Sequence, residues 1–419
     1  MERQYVASER AHFMCPNMHF GILCKLEAES NPFKTKNCLD IMAKAHPFLR
    51  STLRYEHDST KLYYQVEDSS KVELIERKSI LTIWKDYEKI ANKEWNVFQN
   101  GLLKVFLYPI DEGMQLLFVA HHLLGDGRCL LELVNEFVNL YIDGITPVFS
   151  QERLIQGIKD LPARSELKGI SKYLVRRLNA KWREEKTYVS YEMYANFSNQ
   201  FVKKNPVSHE VMELDTAQFS SLIEYCKKND ITVNDLLMAQ TYDTMQTKKI
   251  IIAADIRSKL SCYQKGACGN YATAMGIVYK GKNKDIATRA KSIHRQVKSH
   301  MASNRKLMLL LACYLSMDEG LIDAAAIASL GDFESGSARF VGGSMFGFLK
   351  RDGVSITNLG NIHNQNINEA VFIPPASPAM AQTLGVLTVN DKMNLCSSYY
   401  QNLISAAEVK SQLPRLVEL

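Results

Sequence analysis

The sequence predicts a mixed α/β (α+β) fold built as two successive halves, and three observations carry this. The chain has 419 residues, 46% of them hydrophobic and 23% charged, which suits an ordinary globular protein with room for two domains of about 200 residues each. Strand and helix signals alternate through the first third and culminate in QLLFVAHHLLGDG at positions 115–127. After a polar, mostly helical stretch at 151–188, the alternation starts again. No short internal repeat or low-complexity tract interrupts either half.

In chain order, residues 18–26 alternate loosely and read as a strand, and a helix follows around 38–45. Residues 46–50, HPFLR, lead into two short alternating runs, 52–55 and 62–66, that form a hairpin. A helix over 80–95 and a strand over 102–108 come next. Pro109, Asp111 and Gly113 then mark a turn, and Leu116 to Ala120 form an apolar run of the length and composition of a buried strand. Beyond it Leu130, Leu131, Val134, Phe137, Val138 and Tyr141 recur at helical spacing, with Asp126 as the cap of that helix.

His121 and His122 therefore stand where a strand gives way to a helix. Neighbouring strand residues point to opposite faces, so one histidine enters a cavity while the other packs. The positive end of the following helix disfavours imidazolium and keeps such a histidine neutral, able to accept a proton near pH 7. Asp126 suits a helix N-terminus but, if buried, needs a cationic partner from elsewhere in the chain. Gly125 and Gly127 allow a tight turn.

The second half opens with a strand at 208–213, a helix at 215–228, and a helix at 232–246 capped by Thr232 or Asn234. Residues 249–257, KIIIAADIR, form a strand ending in charge. A further strand runs from 268–271 (CGNY) to 279, and a basic helix covers 285–301. Strands follow at 354–357, 371–373, 384–389 and 393–400, the last two joined by a turn at 390–392. A helix over 403–413 is stopped by Pro414.

The segment from His121 to Gly127 resembles the HHxxxDG motif of the CoA-dependent acyltransferase superfamily, which includes chloramphenicol acetyltransferase, carnitine acyltransferases and the condensation domains of peptide synthetases. Further segments are similar: HPxLR at 46–50, a DxR strand end at Asp255 to Arg257, a GN pair at Gly269 and Asn270, and an SNxG-like segment from Thr357 to Gly360. The resemblance implies two chloramphenicol-acetyltransferase-like subdomains, each a mixed sheet flanked by helices, with an active-site tunnel between them. Residues 1–165 would be the first subdomain, 166–190 a connecting helix and 191–419 the second. It implies His122 as general base, Asp126 as a mainly structural carboxylate paired with Arg257, and His121 and Gly127 as structural neighbours. Arg257 reads otherwise as a surface arginine at a strand end. Thr357, in place of the commoner serine, and Asn358 would donate a hydrogen bond to an oxyanion; a capping turn is the other reading of that segment.

The implied activity is transfer of an acyl group from a CoA or carrier-protein thioester to a hydroxyl or amine of a small-molecule acceptor, without a covalent enzyme intermediate, in natural-product or lipid metabolism. No cofactor would be bound tightly; acyl-CoA or acyl-phosphopantetheine is a co-substrate, and an acyl or peptidyl carrier protein a possible partner. A catalytically silent binding or docking protein of the same fold is the alternative. The DFGWG segment of plant acyltransferases is absent: residues 331–335 read GDFES.

The net charge of +6 is too mild for a nucleic-acid protein without a recognised module. The most basic stretch, 168–186, reads as a solvated helix face or as cations meeting phosphates of CoA or an acidic carrier. The nine cysteines include no CxxC pair and read as reduced packing residues. No metal ligand set is legible, since His121 and His122 are adjacent and no second cluster completes one. His12, His19, His57, His209, His294, His300 and His363 show no partner pattern. With no signal-peptide core and no apolar run long enough to span a bilayer, a cytoplasmic monomer is expected.

Overall fold

The computed structural model describes residues 3–281, 285–331 and 333–419; Met1 and Glu2, and Asp332 of the segment compared above, lie outside them. The strands are β1 (His19–Leu26), β2 (Ser51–Tyr55), β3 (Leu62–Val66), β4 (Glu73–Glu76), β5 (Leu103–Ile110), β6 (Gly113–His121), β7 (Val207–Leu214), β8 (Ile250–Asp255), β9 (Ala272–Ile277), β10 (Gly353–Ile362), β11 (Glu369–Ile373), β12 (Met380–Val389) and β13 (Lys392–Tyr400). One sheet runs β11-β1-β6-β5-β4, a second runs β7-β13-β12-β10-β8-β9, and β2 and β3 form the expected hairpin. Both larger sheets are mixed: β4 is parallel to β5, and β10 is parallel to β12 and β8, while the other neighbours are antiparallel. This is a mixed α/β fold of two subdomains, and among the described residues no barrel closes.

The composition of β6 follows from its central place between β1 and β5. Leu116, Leu117, Phe118, Val119 and Ala120 are all fully buried, so the run is continuous rather than alternating. Each large side chain contributes about 1.5–3 kcal/mol by leaving water. The helix Gly127–Asp143 packs beside it, opened by Asp126 and closed by Gly144 at φ +70°, a left-handed cap that glycine adopts without steric cost.

The two sheets meet at β11. Although it comes late in the chain, β11 pairs with β1 and completes the sheet of the first subdomain. Side chains of the second sheet reach the same segment: Asn394 Nδ2 donates to the Ala370 carbonyl at 3.1 Å, and Ser398 Oγ to that of Pro374 at 2.7 Å. Although it lies within residues 191–419, β11 thus joins the sheet whose other strands come from residues 19–121. The amino-terminal turn crosses in the other direction, where buried Arg10 pairs with Asp323 of the helix Glu319–Leu330 through Nε–Oδ1 at 2.7 Å and Nη2–Oδ2 at 2.5 Å.

Several element ends differ from expectation. The helix expected over 80–95 is a short 3-10 turn followed by Ile83–Ala91. Residues 144–168 are irregular apart from the turn Ile158–Asp160, and the connecting helix is Gly169–Glu185. That helix buries Val175, Leu178 and Trp182 and leaves Lys172, Arg176, Arg177 and Lys181 exposed, a solvated basic face. The helix Tyr191–Lys204 had no counterpart in the sequence reading. β10 runs on to Ile362 instead of ending at Thr357. Pro414 lies inside the last turn of Ala406–Arg415; its missing N–H removes a single bond at a fraying end.

Candidate active site

His122 follows directly on the end of β6, and its backbone N–H donates to the Met18 carbonyl at 2.8 Å. Its ring is held from the second subdomain. The Asn270 amide donates to the His122 carbonyl through Nδ2 at 2.6 Å, which directs Oδ1 at the imidazole Nδ1, 2.8 Å away. Oxygen can only accept, so Nδ1 carries the proton and Nε2 keeps a free lone pair. The His12 ring lies parallel to that of His122 at 4.1 Å, and Phe20 meets it edge-on at 5.0 Å. Neither Asn270 nor His12 was legible as a site residue: the GN pair named Asn270 only as the start of a strand, and His12 showed no partner.

Burial lowers the pKa of His122, opposed by the Asp126 charge and the Asn270 hydrogen bond. The helix end was expected to keep the ring neutral; enclosure is the leading cause instead. His12 is lowered further by burial and by its two histidine neighbours. His121 points the other way, its Nδ1 accepting from Leu123 N at 3.2 Å and its ring edge-on to Trp95 at 5.9 Å. It borders a cavity of about 10 Å3, room for roughly one water molecule and no substrate.

Asp126 joins three segments. Oδ1 accepts from Cys129 N at 3.0 Å, capping the helix, and from Arg257 Nη2 at 2.8 Å; Oδ2 accepts from Tyr271 N at 2.9 Å. Both partners of the ion pair are about 7% exposed. Burial works against the charge of Arg257, but Asp126 more than compensates and holds its pKa above the ordinary value. Arg257 stands in a short 3-10 turn just beyond β8. The carboxylate therefore fixes the histidine loop to the ends of β8 and β9, and no acid-base role is needed to explain it.

The two glycines of the motif allow close approach. A Cβ on Gly125 would lie 2.6 Å from Cys129 Sγ and 3.0 Å from the Gly269 carbonyl, and one on Gly127 would lie 2.9 Å from Leu359 Cδ2. Leu359 is the point at which the segment of Thr357 and Asn358 meets the site. Among the described residues neither of these two bonds to the histidine motif. Asn358 Oδ1 accepts from Gly360 N at 2.8 Å, a local turn at φ +88°. The Thr357 hydroxyl is partly exposed and has no hydrogen bond among the described residues.

No protein-family model and no curated protein matches the sequence. Solved structures do match the fold along almost the whole chain. The trichothecene 15-O-acetyltransferase of Fusarium sporotrichioides aligns over 99% of this chain and 93% of its own with a TM-score of 0.64 at 14% identity. Polyketide synthase associated protein 5 of Mycobacterium tuberculosis aligns over 98% and 95% with 0.61 at 15%, and the first condensation domain of the CDA synthetase over 98% and 93% with 0.62 at 10%.

Proposed function

We propose that this chain, which has the fold of the CoA-dependent acyltransferase superfamily, is an acyltransferase with His122 as its general base. The observation that carries the reading is the Asn270 clamp, which leaves Nε2 of a neutral imidazole free. An acceptor hydroxyl or amine gives its proton to Nε2 as it attacks a thioester carbonyl. The tetrahedral oxyanion then collapses, and the departing thiolate takes the proton back from the imidazolium. Thr357, with a hydroxyl not engaged elsewhere, is the proposed oxyanion donor. The thioester is on CoA or on the phosphopantetheine of a carrier protein, and it enters the tunnel that the superfamily places between its two subdomains.

The test is thiol release from acetyl-CoA, longer acyl-CoAs and an acylated carrier protein across a panel of alcohols and amines. Turnover is expected with one donor class, and His122→Ala should lose about 10²–10⁴-fold while keeping its near-UV circular dichroism. Near-normal turnover in that variant would sink the mechanism. Silence of the wild-type protein with every donor and acceptor would favour a binding protein of the same fold.

A further inference from the structure

Two residues before Asn270, Cys268 enters a buried cluster that the proposed reaction does not use. His46, Glu152 and Cys268 are 1%, 3% and 1% exposed, and one donor atom from each lies within 4.8 Å of the other two. The His46 Nδ1 faces Cys268 Sγ at 3.9 Å. Its Nε2 is held by Glu136 Oε2 of the helix Gly127–Asp143 at 2.5 Å. An imidazole fixed by a carboxylate on one nitrogen, with the other turned toward a thiol, is the outer-shell arrangement usual for a metal-ligating histidine.

We propose that His46 Nδ1, Cys268 Sγ and the Glu152 carboxylate bind a zinc ion. Gathering these groups in a dry interior is costly when nothing cationic compensates them. A divalent ion removes the cost, displacing the thiol proton as it binds. The donor set of nitrogen, sulfur and oxygen excludes magnesium and calcium, which take oxygen ligands. With Zn–N near 2.0–2.1 Å and Zn–S near 2.3 Å, a tetrahedral site needs nitrogen and sulfur about 3.6 Å apart, so the observed separation closes by a few tenths of an ångström. Such an ion would tie two segments of the first subdomain to the loop that presents Asn270 and Tyr271.

The test uses the full chain, stripped with a chelator, reloaded with zinc or cobalt(II) and desalted before metal analysis. Stoichiometric zinc is expected, along with thiolate-to-cobalt charge-transfer absorption and a melting temperature that rises with zinc. Cys268→Ser and Glu152→Gln should each retain less than about a tenth of the metal. Glu136→Gln should weaken binding about 10–100-fold. A wild-type protein that keeps no ion, or a cobalt spectrum without the charge-transfer band, overturns the site without any variant having to fold. Equal retention by Cys268→Ser overturns it as well. None of these readouts depends on acyl transfer.

Discussion

At the scale of single residues, the protonation of His122 sets when the site can work. A base must be neutral, and burial holds this ring below the ordinary imidazole value of 6.5. The acid limb of kcat/KM should therefore be centred below pH 6.5, the rate falling as the lowered pKa is crossed from above. A pH–rate profile checks this, and an acid limb centred above 6.5 would mean that the ring is not enclosed. The stacked His12, also lowered, puts no second charge against the base in that range. His122 and Asp126 could be singled out because the features around them are local, a strand end at His121 and a helix cap five residues later. Asn270 lies 148 residues from His122, and the His12 contact likewise exists only in the folded chain. No local periodicity can announce either.

Among the elements, the joint between the helix start at Asp126 and the turn beyond β8 is held by one buried ion pair. Breaking such a pair costs roughly 3–5 kcal/mol, because a charge is left unpaired in the interior. Asp126→Ala and Arg257→Ala should each lower stability by that order, and the double variant should lose far less than their sum. Urea unfolding of the three proteins and the wild type gives the coupling; strict additivity would reduce Asp126 to a cap worth about 1 kcal/mol. Arg257 could be named from the sequence only through the resemblance of Asp255 to Arg257 to the DxR strand end, since an apolar strand with a charged end does not by itself choose a partner. The helix Tyr191–Lys204 was hidden because its buried stripe, Tyr194, Ser198, Phe201 and Val202, passes through a serine that reads as polar. β10 was cut short because Asn358 and Gly360 look like a turn, and they do interrupt the pairing, but it resumes with β12 at Asn361.

For the whole molecule, the two halves read from the alternation exist as two sheets, but they interlock through β11 and through the Arg10–Asp323 pair. One cooperative transition is therefore expected. Trp95 lies beside His121, Trp84 stacks on His209 of β7 and Trp182 packs against Gly320, so tryptophan fluorescence reports on the first subdomain and its contacts with the second, while far-ultraviolet circular dichroism reports on everything. The two probes should give coincident urea curves, and a separation between them would show subdomains that unfold independently. The interlock was not legible because residues 369–373 carry only the ordinary signature of a buried strand, which says nothing about which sheet receives it. Among the described residues no helix is long and apolar enough to cross a membrane.

The late arrival of β11 has a consequence for biosynthesis. While the ribosome is still making the chain, β1 has β6 on one side and a bare row of backbone donors and acceptors on the other until position 373 has emerged. Such an edge invites pairing with a neighbouring nascent chain. A premature stop codon after the histidine loop but before position 373 would leave that loop translated yet its sheet unfinished, so truncation far downstream should harm the amino-terminal half as much as a lesion within it.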